Sequence, residues 1–202
     1  KLAQQYPEAM PVLLARHHEL VKQAVQAQNG YIFQNEGDSL AVAFHSAVNA
    51  LNAALEAQQL LHNETWTPVP IKVRIGIHTG TSQLNEPSAP TVYSGYATIA
   101  LTQRIMSAGH GGQILLSGAT RELVRDSLPQ NTELIDLDER RLKDLLRPEH
   151  IYQLSASGLP STFPPLKTLD AFRNNLPLQL TTFIGREKEM RSLRDVVAEL
   201  GA

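Results

Sequence analysis

Along the chain, apolar residues recur every three to four positions in some segments and every second position in others, and this change of period divides the sequence into elements. In residues 7–28, Val12, Leu13, Leu20, Val21 and Val25 keep helical spacing, and Gly30 stands where a helix would stop. Residues 31–35 and 40–44 are short β-prone runs separated by Glu36, Gly37 and Asp38. They predict an antiparallel hairpin with an aspartate at its tip. Ser46 is placed to cap a second helix, in which Val48, Leu51, Leu55, Leu60 and Leu61 form an apolar stripe running to about His62. Residues 71–78 alternate, with Ile71, Val73, Ile75 and Ile77 on one face and Lys72, Arg74 and His78 on the other, which predicts a strand. Residues 81–91 carry prolines and no periodicity, so a loop is expected there. A third helix is predicted over 96–108, closed by Gly109, then a strand over 113–116 and a short helix capped by Ser117 and reaching about Val124. Strands over 132–137 and 151–154, joined by a bend at 140–145, complete the set.

This order of elements predicts an α+β fold with helices packed on one face of a largely antiparallel sheet. After Leu154 the pattern changes: residues 155–165 are rich in Ser and Pro and lack a period. The expected organisation is a first domain over 1–156, a linker over 157–182 and the start of a second domain over 183–202, where Gly185, Arg186 and Glu187 open a helical run. The first residues lack both an initiator Met and the apolar core of a signal peptide, so the chain is expected to begin inside a longer protein.

Composition narrows the function classes. The 202 residues carry 18 Lys+Arg against 20 Asp+Glu, a net charge of −2, with 42% hydrophobic residues and no cysteine. Thiolate metal sites, disulfides and cysteine nucleophiles are therefore excluded. A phosphate-tracking nucleic-acid surface needs a basic excess that this segment lacks. No apolar stretch reaches the roughly 20 residues needed to span a bilayer, so a soluble, cytoplasmic chain with no membrane partner is expected.

Chemistry is most readily placed at the hairpin tip, where Gly37 permits a tight turn and Asp38 offers a hard carboxylate suited to a divalent cation beside phosphate. Taken alone, the same residues also read as turn geometry. The seven histidines are scattered without an i, i+4 pair on one helix, which argues against zinc and predicts surface or strand-end positions. Gly109, His110, Gly111 and Gly112 precede a strand, not a helix N-terminus, so they read as a turn and not as a phosphate cradle. Trp66 reads as loop packing over the core.

Four segments in order, FQNEGDSLAVAF at 33–44, VRIGIHTG at 73–80, QRIMSAGHGGQILLS at 103–117 and LKDLLRPEHIYQL at 142–154, closely resemble class III adenylate/guanylate (nucleotidyl) cyclase domains. The resemblance covers about residues 1–155 and implies a ferredoxin-like βαββαβ sandwich. Residues 174–190, NNLPLQLTTFIGREKEM, resemble the entry to a STAND-type ATPase of bacterial signalling regulators, whose phosphate-binding loop would follow Ala202.

In that family two aspartates of one subunit hold two divalent metals, Mg²⁺ or Mn²⁺, that activate the ribose 3′ hydroxyl for attack on the α-phosphate of ATP or GTP. The resemblance places Asp38 on the second of these aspartates; the first belongs to a strand-and-turn motif expected to precede Lys1. The partner subunit of the family dimer supplies a Lys and an acid-like residue that read the purine, and an Asn and an Arg that orient the ribose and neutralise the transition state. Gln34 stands at the Lys position and Tyr93, or Val92 in the neighbouring register, at the acid position. Arg104 falls on the Arg and Ala100 on the Asn; counting forward from Gly95 instead gives Ile99 and Gln103, and neither register supplies an Asn.

Each lost charge-stabilising donor typically costs about 10²–10³ in rate, and three positions differ here. The resemblance thus implies a catalytically degenerate cyclase domain, acting as a dimerising or nucleotide-sensing module that regulates a downstream ATPase, as a homodimer or as a heterodimer with an intact cyclase. The alternative is an active cyclase using substitutes for the missing readers. A diguanylate cyclase-like palm, with a related sheet, would require paired glycines and acids that residues 35–39 lack.

Overall fold

After a single helical turn at Leu2–Gln5 (α1), helix α2 spans Met10–Ala27, with proline in its first turn, where no backbone donor is lost. In the computed structural model, residues 2–81, 83–84, 93–94, 96–145 and 147–169 are described, all within the first of two units, Lys1–Ala171. The buried face of α2 is built from Leu13, His17, Leu20, Ala24 and Val25. Val12, expected on that face, is 72% exposed, one position out of phase with Leu13 and Leu20. His17 corrects the expectation of surface histidines, because it is buried in the middle of the apolar face.

The hairpin forms as predicted, from β1 (Tyr31–Glu36) and β2 (Ser39–Ala43), with Glu36 opposite Ser39 across Gly37 and Asp38. Gly37 has φ +61°, the left-handed conformation that a two-residue hairpin turn requires and that glycine adopts without a Cβ penalty. The register shifts by one residue between Ile32 and Gln34, a β-bulge that increases the local twist of the arm carrying Gln34. Helix α3 (Ala47–Asn63) starts at Ser46, whose hydroxyl accepts from the Asn49 N–H at 3.1 Å. It packs against α2, with Leu51, Ala53, Ala54, Leu55, Ala57 and Leu61 buried; the alanines allow close approach of the helix axis.

The principal sheet comprises β3 (Ile75–Ile77), β6 (Ile114–Ser117), β7 (Thr132–Arg140) and β8 (Glu149–Ala156), in the order β3-β6-β8-β7. Only β3 and β6 are parallel; the other two pairings are antiparallel. The short pair β4 (Gln83–Leu84) and β5 (Tyr93–Ser94) lies within and just beyond the region expected to be a loop. Helix α4 spans Tyr96–Ala108 and helix α5 spans Gly118–Val124, as the spacing and the Ser117 cap predict. Of the strand expected over 71–78, only the C-terminal part, Ile75–Ile77, joins the ladder. Val73 upstream instead has its carbonyl taken by the Gln58 side chain at 2.7 Å and the Gly112 N–H at 2.6 Å.

Strand β6 is buried throughout, and its alternation divides the core. Ile114 and Leu116 join Leu51, Leu55, Ile77, Val124 and Leu154 in one cluster, while Leu115 joins Ile105, Ala108, Leu142, Ile151 and Leu166 in a second. The fold is α+β, as expected. Residues 157–169, the first part of the expected linker, run back along this domain: Lys167 N–H donates to the Ala108 carbonyl at 2.9 Å and Leu169 N–H to the Arg141 carbonyl at 3.0 Å. The rest of that stretch and the residues of the expected second domain lie outside the described residues.

Candidate functional site

The position of α4 is set by one close approach. A Cβ on Gly76 of β3 would stand 2.6 Å from the Met106 backbone nitrogen, so only glycine lets the helix lie this near the strand. In the turns before Met106, α4 presents Ala100 and Arg104 four residues apart, on the same helical face. Ala100 is half-buried and brings only a methyl group to that face. Arg104 does not stand alone: its Nη2 lies 2.8 Å from Oδ2 of Asp144, in the loop between β7 and β8. Asp144 has φ +61°, a left-handed conformation uncommon outside glycine and tolerated by Asp and Asn. Sequence reasoning passed over Asp144, treating 140–145 as a bend; the only signal was a Lys-Asp pair in that turn.

The hairpin tip is a separate region. Asp38 is exposed there, beside exposed Glu36, and Gln34 is exposed on β1. Tyr93 lies in β5, with its backbone opposite Leu84. The hairpin packs on α2, whereas α4 packs on β3 and β6, so within one chain Asp38 and Arg104 belong to different parts of the domain. No hydrogen bond or ion pair between them occurs among the described residues.

A divalent cation would need more than this tip provides. No group of three or more His, Asp or Glu side chains is placed to hold a metal among the described residues. Asp38 offers one exposed carboxylate, one of the two that the family resemblance assigns to a two-metal clamp.

Two histidines, one buried and one half-buried, lie on α2 and just after β3. His17 is 3% exposed and its Nδ1 finds no hydrogen-bond partner among the described residues. Burial holds its pKa below the ordinary 6.5; neighbouring His18 adds to the effect, and the charge of Asp38 opposes it. His78, just after β3, shares a hydrogen bond of 2.8 Å between its Nδ1 and the Ser117 hydroxyl that caps α5, and burial lowers its pKa too. Gly109 to Gly112 form the expected turn, closed by the Gln113 N–H donating to the His110 carbonyl at 3.0 Å. Trp66 donates from Nε1 to the Leu61 carbonyl at 2.9 Å, anchoring the loop after α3.

A cavity of about 330 Å³ lies between β7, β8 and residues 161–168. Its buried amides are already satisfied: Gln113 Nε2 donates to Gln153 Oε1 at 2.7 Å, and Gln153 Nε2 to the Ser161 carbonyl at 2.8 Å. This arrangement reads as an anchor for the returning segment. Among the described residues no helix is long and apolar enough to cross a membrane.

Residues 1–155 match the family described as the adenylate and guanylate cyclase catalytic domain. An uncharacterized protein of Mycobacterium tuberculosis is 37% identical over 192 residues, which cover 94% of this chain and 64% of that protein. A receptor-type adenylate cyclase of Trypanosoma equiperdum is 24% identical over 233 residues, 96% of this chain and 49% of that protein. The chain thus spans less than two thirds of the length of these relatives. Among solved structures, a Trypanosoma brucei adenylate cyclase in its monomeric state superposes with a TM-score of 0.70 at 23% identity, covering 82% of this chain and 88% of that one. The adenylyl cyclase CyaB of P. aeruginosa gives 0.59 at 23% identity, over 74% and 84%. At these identities the superpositions show a common fold.

Proposed function

Because the chain belongs to the class III adenylate and guanylate cyclase family, we propose that it is a cyclase-fold regulatory module that pairs with a second cyclase fold and senses ATP or GTP without converting it. The observation that supports this reading is the helical face of α4, where Arg104 and Ala100 stand one turn apart: at the position the resemblance gives to a ribose-orienting Asn, Ala100 offers no hydrogen bond. Gln34 supports it, since its amide can bond a purine edge but brings no charge. Tyr93, at the position of the acid-like reader, brings no carboxylate.

In a two-fold pair, Asp38 of one chain and Arg104 of the other would meet across the interface, which accounts for their separation within one chain. Arg104 then neutralises phosphate charge and Gln34 touches the base, so binding outlasts catalysis. The module would work in the cytoplasm, where nucleoside triphosphates are abundant. It would stand ahead of a STAND-type ATPase, a reading supported by the likeness of residues 174–190 to the entry of such a domain.

The test is calorimetric titration of the chain with ATP and GTP in the presence of Mg²⁺ or Mn²⁺. Saturable binding that weakens about tenfold or more in Arg104→Ala, the loss of one charge-assisted contact, is the expected result. Binding that ignores Arg104→Ala and Gln34→Ala alike would contradict the assignment.

A further inference from the structure

We infer that Asp144 is a built-in competitor for Arg104: its carboxylate occupies the guanidinium that, on the function proposed above, receives the nucleotide's phosphates, so an incoming triphosphate must displace it. The pair is close, with Nη2 to Oδ2 at 2.8 Å, and it joins two elements that are far apart in sequence. Asp144 makes this contact from a left-handed backbone conformation at φ +61°, where glycine would carry less strain. The carboxylate is thus placed in a turn whose geometry alone favours a residue without a side chain.

The turn is held on both sides. Leu142, two residues earlier, is 2% exposed and shares a cluster with Ile105, the neighbour of Arg104 on α4. The returning segment locks the same two elements: Leu166 joins that cluster, Leu169 N–H bonds the Arg141 carbonyl, and Lys167 bonds the Ala108 and Gly109 carbonyls at the end of α4. Arg104 and Asp144 therefore face each other because residues 166–169 fasten the helix and the loop together. Both side chains remain partly exposed, at 39% and 57%, so the ion pair is weak enough for a polyanion to open. It sets a threshold for binding and does not block the site.

The experiment titrates inorganic tripolyphosphate into the full chain at low salt, comparing wild type, Asp144→Asn, Arg104→Ala and the double variant. Mass mapping of Arg104 modification by phenylglyoxal runs in parallel. Asp144→Gly, which relieves the left-handed strain, serves as a second variant should Asp144→Asn fold poorly. The expected result is tripolyphosphate binding about three- to fivefold tighter in Asp144→Asn, the size of an exposed ion pair. Arg104 should be modified faster by a similar factor, and the gain in binding should vanish in the double variant. If wild type binds through Arg104 but Asp144→Asn binds no tighter, the competitor is refuted while the proposed function stands. A gain that persists in the double variant also refutes it, as a general charge effect. If Arg104→Ala leaves binding unchanged, or if no variant binds tripolyphosphate, the nucleotide reading fails and the competitor fails with it.

Discussion

Arg104 and Asp38 are the two charged groups that the family resemblance assigns to chemistry, and their surroundings differ. Arg104 is engaged by Asp144, whereas Asp38 is exposed at the tip of a hairpin. Two histidines make stability depend on pH. His17 and His78 are both held below 6.5, principally by burial, so the folded chain refuses protons that the unfolded chain accepts. Their contribution is complete above about pH 6.5 and declines as the pH falls below it. Thermal unfolding between pH 8 and 5.5 should therefore show a falling midpoint, flattened in the variant carrying both His17→Leu and His78→Gln; a midpoint unchanged over that range would contradict this account. Of these residues, the place of Asp38 at a hairpin tip was legible from its turn and that of Arg104 on a helix from the spacing around it. His17 was not, because an isolated polar residue in a helical stripe gives no sign of whether its face is covered.

At the scale of elements, the helices were largely legible in the sequence from their apolar spacing, and for two of them from the serine at the start. Ser46 caps α3 and Ser117 caps α5, and both accept from a backbone N–H three residues on. Ser117→Ala removes both the cap and the hydroxyl bonded to His78, and should cost about 1–3 kcal/mol by denaturant unfolding. Strand 71–78 was only partly legible: the alternation is real, but ladder bonds require a neighbour, and at Val73 the partners are the Gln58 side chain and the Gly112 turn. The placement of α4 against β3 rests on Gly76, a contact that periodicity does not encode. Gly76→Ala forces a methyl group toward Met106 and should cost about 1–3 kcal/mol while displacing Arg104. An unaltered unfolding midpoint would show that the helix can shift freely.

For the molecule as a whole, two apolar clusters share β6 between them, so a single truncation there is felt across the domain. Ile105→Ala, at a fully buried position in the cluster beneath Arg104, should destabilise by about 2–5 kcal/mol. The α+β class could be read from the order of helical and alternating segments, and the family from four motifs in sequence. How residues 157–169 fold back could not be read, since their Ser- and Pro-rich composition resembles that of a free linker while Leu166 and Lys167 make specific contacts. The central proposal is that the scaffold persists with Asp38 and Arg104, while Gln34, Tyr93 and Ala100 stand where the resemblance expects the remaining groups that read and orient the nucleotide. Its most direct test is a chromatographic search for 3′,5′-cyclic AMP or GMP after prolonged incubation of the protein with ATP or GTP and Mg²⁺ or Mn²⁺. No product above the protein-free control is expected; cyclic nucleotide that forms with wild type and disappears with Asp38→Ala would contradict the account.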